Sequence, residues 1–128
     1  MSKFIRSLIV LAMSVPGLAL AAGYYASGSV YVSPNSYMQG TMNVRWNASA
    51  PGTPYMYATG YAGSYVGFFG YDGSNSFSCY VSTTNPIYAQ AVDIKNSLTN
   101  GGRLYVTKNA DSSECTNVFL GNYSYFQS

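Results

Sequence analysis

Few residues in this chain can carry acid–base, nucleophilic or metal chemistry. There is no histidine, so the side chain that most often serves as general base or transition-metal ligand is missing. Cys79 and Cys115 are the only thiols. Joined in a disulfide, they offer neither a thiolate nucleophile nor a soft metal ligand. The carboxylates are Asp72, Asp93, Asp111 and Glu114. Asp111 and Glu114 fall in the polar stretch Asn109–Glu114, which reads as a solvated turn rather than a catalytic pair. Asp72-Gly73-Ser74-Asn75 and Asp111-Ser112-Ser113-Glu114 each gather oxygen ligands, but neither has the spacing of a known calcium loop. No motif marks a serine as partner for Lys95 or Lys108. The expectation is a protein that is not an enzyme, with no catalytic residue, metal or cofactor.

The anomaly is tyrosine. Fourteen are present, more than a small core can use, because each buried phenol hydroxyl needs a partner. Several must lie on exposed strand faces. Tyr55, Tyr57 and Tyr61 form the clearest stripe, with Tyr65 and Tyr71 on the strand that follows. Tyrosine also favours strands for their own sake, so a structural use competes with a functional one. Functionally, a row of flat apolar rings with polar rims can stack on sugar rings, on a surface protein, or on copies of itself.

Strands must position that row, and period two marks them. Ser29–Val32 is a short β-prone run closed by Ser33-Pro34-Asn35-Ser36, a turn cluster. Met38–Asn47 alternates strictly, with Met42, Val44 and Trp46 on one face, which predicts a long strand and a core role for Trp46. Ser49-Ala50-Pro51-Gly52 is a turn. Tyr55–Tyr61 alternates large and small residues. Tyr65–Tyr71 is an apolar strand, and Asp72-Gly73-Ser74-Asn75 carries the Asp-Gly hairpin signal. Phe77, Cys79 and Val81 share one face of the next strand. The stretch Tyr24–Tyr80 therefore reads as an antiparallel meander.

A helix is predicted over 86–98. Asn85 suits the N-cap and Pro86 the first helical position. Ile87, Ala91, Ile94 and Leu98 fall on one stripe, with Asp93 away from it. Asn100-Gly101-Gly102 supplies a left-handed stop. Strands over Arg103–Lys108 and Cys115–Leu120 follow, and Tyr123-Ser124-Tyr125-Phe126 extends the last or pairs at an edge. The fold class is α+β, mainly β: an antiparallel meander with a single helix packed on one face and one disulfide.

The compartment follows from the N-terminus. Lys3 and Arg6 precede the apolar run Ser7–Val15, then Pro16-Gly17 and the small-residue site Ala19-Leu20-Ala21. These are the three parts of a secretory signal peptide over 1–21. The apolar run is shorter than the roughly 20 residues a bilayer span needs. Residues 22–128 then form one small domain, secreted or periplasmic, without a membrane span. It holds Arg45, Lys95, Arg103 and Lys108 against the four carboxylates, so it is neutral. Nucleic acid, which demands a basic surface, is a poor partner. A domain this small needs help with stability, and in an oxidising compartment a Cys79–Cys115 disulfide supplies it.

Cys79, the Asn85-Pro86 helix start, and Cys115-Thr116-Asn117-Val118 followed by Asn122-Tyr123-Ser124 resemble a group of small exported, uncharacterised bacterial proteins with one disulfide. The likeness covers the C-terminal half. It implies a cap, a staple and a strand, and it carries no activity. The functional expectation is a non-catalytic exported binding module whose Tyr-rich sheet takes carbohydrate or a cell-surface protein. Self-association into a surface layer is the alternative. A third reading, an inhibitor of a secreted enzyme, would use Tyr61–Asn75 as a projecting loop.

Overall fold

The computed structural model describes residues 27–61 and 63–123. The expected signal peptide and the aromatic cluster from Ser124 onward lie outside the described residues. Strands β1 (Val30–Ser33) and β2 (Tyr37–Thr41) lead into a 3₁₀ turn (Met42–Trp46). Next come β3 (Tyr55–Tyr61), β4 (Tyr65–Tyr71) and β5 (Ser76–Ser82), then helix α1 (Tyr88–Ser97), β6 (Gly102–Lys108) and β7 (Cys115–Asn122). The protein is mainly β, as period two predicts, with a single helix among the described residues.

The strands divide into two antiparallel sheets, β1-β2-β6-β7 and β3-β4-β5. Only β3-β4-β5 is an unbroken meander. β2 pairs onward with β6, placing Met38 opposite Val106 and Gln39 opposite Tyr105. Alternation along each strand sends one set of side chains inward. Val32, Met38, Leu104, Val106 and Val118 from one sheet meet Met56, Val66, Phe68, Phe77 and Val81 from the other in one buried cluster. Burying each such side chain contributes roughly 1.5–3 kcal/mol. The sheets approach closely where Met38 lies over Gly70: a Cβ at Gly70 would stand 2.5 Å from Met38 Sδ.

The helix joins both layers. Ala91 is fully buried, and Ile87, Ile94 and Leu98 pack against the cluster, while α1 touches β4 and β7. Asn85 Oδ1 accepts from Ile87 N at 3.1 Å, so the expected cap acts on a tight first turn that precedes α1. The left-handed stop is not there. Neither Gly101 nor Gly102 has positive φ, and the helix ends at an extended Leu98 so that Gly102 can enter β6 directly.

The long strand predicted over Met38–Asn47 also ends early. Past Thr41, which pairs with Arg103, β6 has only Gly102 left, and that residue donates its N–H to Thr99 O. An extended backbone would leave its polar groups unpaired, and a 3₁₀ turn satisfies them locally. The change of period buries Asn43 and Val44 and turns Trp46 outward. Trp46 is 55 % exposed, with the Arg45 guanidinium 4.7 Å from its ring centroid. It is not a core residue. The buried Asn43 amide has no protein hydrogen-bond partner among the described residues.

Cys79 and Cys115 form the disulfide, with Cα atoms 5.2 Å apart. It ties β5 in one sheet to the first residue of β7 in the other. Tyr80 N donates to Ser113 O at 2.8 Å beside it. Asn85 Nδ2 donates to both Cys115 O and Glu114 Oε2, each at 3.0 Å. No helix among the described residues is long and apolar enough to cross a membrane.

Two outcomes test this packing. Closing a loop of 36 positions restricts the unfolded chain, so the Cys79→Ala/Cys115→Ala variant should lose roughly 3–4 kcal/mol in urea unfolding. Gly70→Ala should cost about 1–3 kcal/mol by overpacking against Met38. An unchanged urea midpoint in either variant would contradict the corresponding contact.

Candidate functional site

The outer face of β3-β4-β5 is set by parity. Met56, Phe68 and Phe77 point inward, which puts Tyr55, Tyr57, Phe69 and Tyr71 on the other side. Register aligns Tyr55 with Tyr71 and Tyr57 with Phe69. It sets Ser76 beside Tyr71, Ser78 beside Phe69 and Tyr80 beside Gly67. Aromatic neighbours across strands stabilise a sheet by roughly 0.2–1 kcal/mol per pair.

The rings form a chain of contacts. Tyr55 lies 5.6 Å from Tyr71 and 6.0 Å from Tyr57 between ring centroids. Tyr57 stacks on Phe69 at 4.7 Å. Phe69 meets Tyr80 edge-on at 5.7 Å, and Tyr80 meets Tyr65 at 5.1 Å. Gly67 makes the middle of this chain: a Cβ there would lie 2.8 Å from Phe69 Cε2, so the ring packs directly on the bare backbone and would have to shift for any other residue. Such covering of a strand glycine by an aromatic ring is a recurrent sheet device. Tyr71 Oη donates to Gly73 O at 2.9 Å, anchoring the β4–β5 turn.

Of the tyrosines expected at the site, Tyr55, Tyr57, Tyr65 and Tyr71 come to this one face. Tyr61 ends β3 opposite Tyr65, and its side chain lies outside the described residues. Tyr55 and Tyr57 are 49 % and 45 % exposed; Tyr65 and Tyr71 are half-buried. Sequence reasoning missed Phe69 and Tyr80 as members. The period-two set Tyr65, Phe69, Tyr71 already put Phe69 on the face, but an apolar run hides that parity. A groove of about 280 Å³ borders the rings, lined by Tyr55, Tyr57, Phe69, Ser76, Ser78 and Lys108 among others. The strands β3, β4 and β5 contain no charged residue. The surface can therefore stack and hydrogen-bond, with Lys108 of β6 as a cation at its border.

The proposed inhibitor loop has a different structure. Tyr61–Asn75 spans the central strand β4 and its two turns, so it does not project. Asp72 belongs to the second turn, where its Oδ1 accepts from Asn75 N at 2.7 Å and Ser74 N at 2.8 Å. The Asn75 N–H leads in holding the carboxyl below its ordinary value; partial desolvation opposes it. The group serves the turn. Among the described residues no three of His, Cys, Asp and Glu come together as metal ligands.

Glu114 departs from the solvated turn expected of it. It is half-buried beside a hollow of about 530 Å³, and its Oε2 also accepts from Ser82 N at 3.3 Å. The Asn85 amide is the main cause that lowers its pKa; desolvation opposes this, and Ser82 assists. A carboxyl with a lower pKa folded than unfolded binds fewer protons when folded, so stability rises with pH across that window. The contribution is complete above the ordinary value of 4.5 and is lost as pH falls through the lowered one. Melting temperature should therefore fall between neutral pH and pH about 3. Glu114→Gln keeps an acceptor for Asn85 and should show a smaller fall, the remainder including Asp72. Equal falls in both proteins would remove Glu114 from the acid response. No family model, no curated protein and no solved structure matches this chain.

Proposed function

We propose that the protein is a non-catalytic binding module, exported from the cell, that takes a neutral carbohydrate on the outer face of β3-β4-β5. One observation carries this reading: a continuous aromatic surface on strands without charged residues, with Lys108 only at its border, whose most exposed rings, Tyr55 and Tyr57, are neighbours on an edge strand. Each phenol joins an apolar ring to a polar rim. That combination suits a pyranose, which has C–H faces and hydroxyl edges. Ser76 and Ser78 add hydroxyls along the bordering groove. The disulfide supports an oxidising compartment.

Self-association is a second reading, favoured by one feature of the same sheet. β3 is an edge strand of seven residues with no charge and no proline, and such an edge can pair with another copy. A monomeric species by light scattering at high concentration would reject it.

The carbohydrate reading makes a separate demand. On a glycan array the protein should retain one or more neutral saccharides, and Tyr55→Ala/Tyr57→Ala should lose at least tenfold in affinity with its melting temperature near that of the parent. Tenfold is about 1.4 kcal/mol, within what losing two ring contacts can supply. Absence of any saccharide on the array, or retention undiminished by the double substitution, would contradict the proposal.

A further inference from the structure

The other sheet has an aromatic outer face too, and a different chemistry. Alternation that buries Val32, Met38, Val106 and Val118 turns Tyr31, Gln39, Tyr105 and Phe119 outward in one row across β1, β2, β6 and β7. Tyr37 bridges this row, 5.8 Å from Tyr31 and 5.7 Å from Tyr105 between centroids. Tyr31 is 55 % and Phe119 54 % exposed. Phe119 has no hydroxyl, so its exposure gains nothing from solvent.

Arg103 lies in the next row, opposite Thr41 on β2 and Gly121 on β7. Two hollows of about 300 Å³ each meet there. One is lined by Gln39, Arg103, Tyr105, Phe119 and Tyr123, the other by Tyr31, Ser29, Thr41 and again Gln39 and Arg103. Tyr123 reaches this wall over Gly121, where a Cβ would lie 2.6 Å from Tyr123 Cε2. The four strands carry two cations, Arg103 and Lys108, and no carboxylate. The Arg103 side chain is exposed and has no hydrogen-bond or ion-pair partner among the described residues. A guanidinium offers five donors in a planar fork that fits a carboxylate with two parallel bonds.

We propose that this trough is a second binding site, for a saccharide bearing a carboxylate on its pyranose ring. Arg103 holds the carboxylate, Gln39 and Ser29 take ring hydroxyls, and Tyr105 with Phe119 covers the C–H face. The ligand must be read by side chains, because β2 and β6 are interior strands whose backbone groups are already paired. That disfavours an extended peptide, which binds by adding to an edge. A single unpaired cation also disfavours a phosphodiester chain, whose binding needs several. This site goes beyond the neutral-sugar reading and lies on the other sheet, so either can fail alone.

Calorimetric titration with trigalacturonate tests it, with the neutral trigalactoside, acetate and inorganic phosphate as parallel arms. Saturable binding is expected for trigalacturonate, at least tenfold tighter than for the neutral sugar. Arg103→Gln should lose that tenfold, and Arg103→Lys should recover little, since an ammonium lacks the fork. Phe119→Ser should weaken binding several-fold, while Tyr55→Ala/Tyr57→Ala should leave it unchanged. No saturable binding, an unaffected Arg103→Gln variant, or equal affinity for acetate or phosphate would each overturn the proposal. Loss in Tyr55→Ala/Tyr57→Ala with Arg103→Gln unaffected would move acidic-sugar binding to the first sheet.

Discussion

The two sheets are held together at one side by a clasp between β5 and β7, and both outer faces depend on it. The Cys79–Cys115 disulfide makes the covalent part. Asn85 makes much of the polar part: its carbonyl oxygen caps the turn leading into the helix, and its amide nitrogen reaches Glu114 and the Cys115 carbonyl. One side chain thus links the turn before the helix, the start of β7 and the Glu114 carboxylate. A hydrogen bond to a charged acceptor contributes more than a neutral one. The position of the helix, which covers part of the core between the sheets, follows from this arrangement.

With the interior filled by the aliphatic inner faces, the outer faces are free to carry tyrosine. Tyrosine suits a neutral domain, since it can be exposed without bringing charge and half-buried without losing its hydroxyl to an apolar site. The two faces then differ through a single kind of residue. The strands of the three-stranded face carry no charge and meet Lys108 of β6 only at the bordering groove, whereas the Arg103 side chain stands among the rings of the four-stranded one without a partner among the described residues. The neutral and acidic ligands proposed for the two faces differ for that reason.

Much of the local structure was legible in the residues. Strands β4 and β5, the Asp72–Asn75 turn, and the inward set Phe77, Cys79 and Val81 all follow from short-range rules; Asn85 was expected to cap the helix itself, and it instead accepts from Ile87 N in the turn before Tyr88, where the helix begins. Trp46 was not legible. Its parity with Met38 and Val44 counts only if the strand continues, and it stops because β2 runs out of a partner at Arg103. Phe69 was hidden in an apolar run, and Tyr31, Tyr105 and Phe119 are too far apart in sequence to read as one surface. Glu114 looked solvated because its partners, Ser82 and Asn85, are some thirty positions away.

By itself the sequence determined the parity of most strands, which segment is helical to within two residues, the neutrality of the domain and the pairing of its only two cysteines. Each of these depends on near neighbours, on composition, or on there being a single choice. Tertiary structure alone decided that the strands split into two sheets, that β2 pairs with β6 rather than β3, and that Arg103 faces a trough of rings. Those outcomes rest on hydrogen-bond pairing between distant segments, which side-chain periodicity does not encode. The tyrosines announced an aromatic surface; strand pairing made it two.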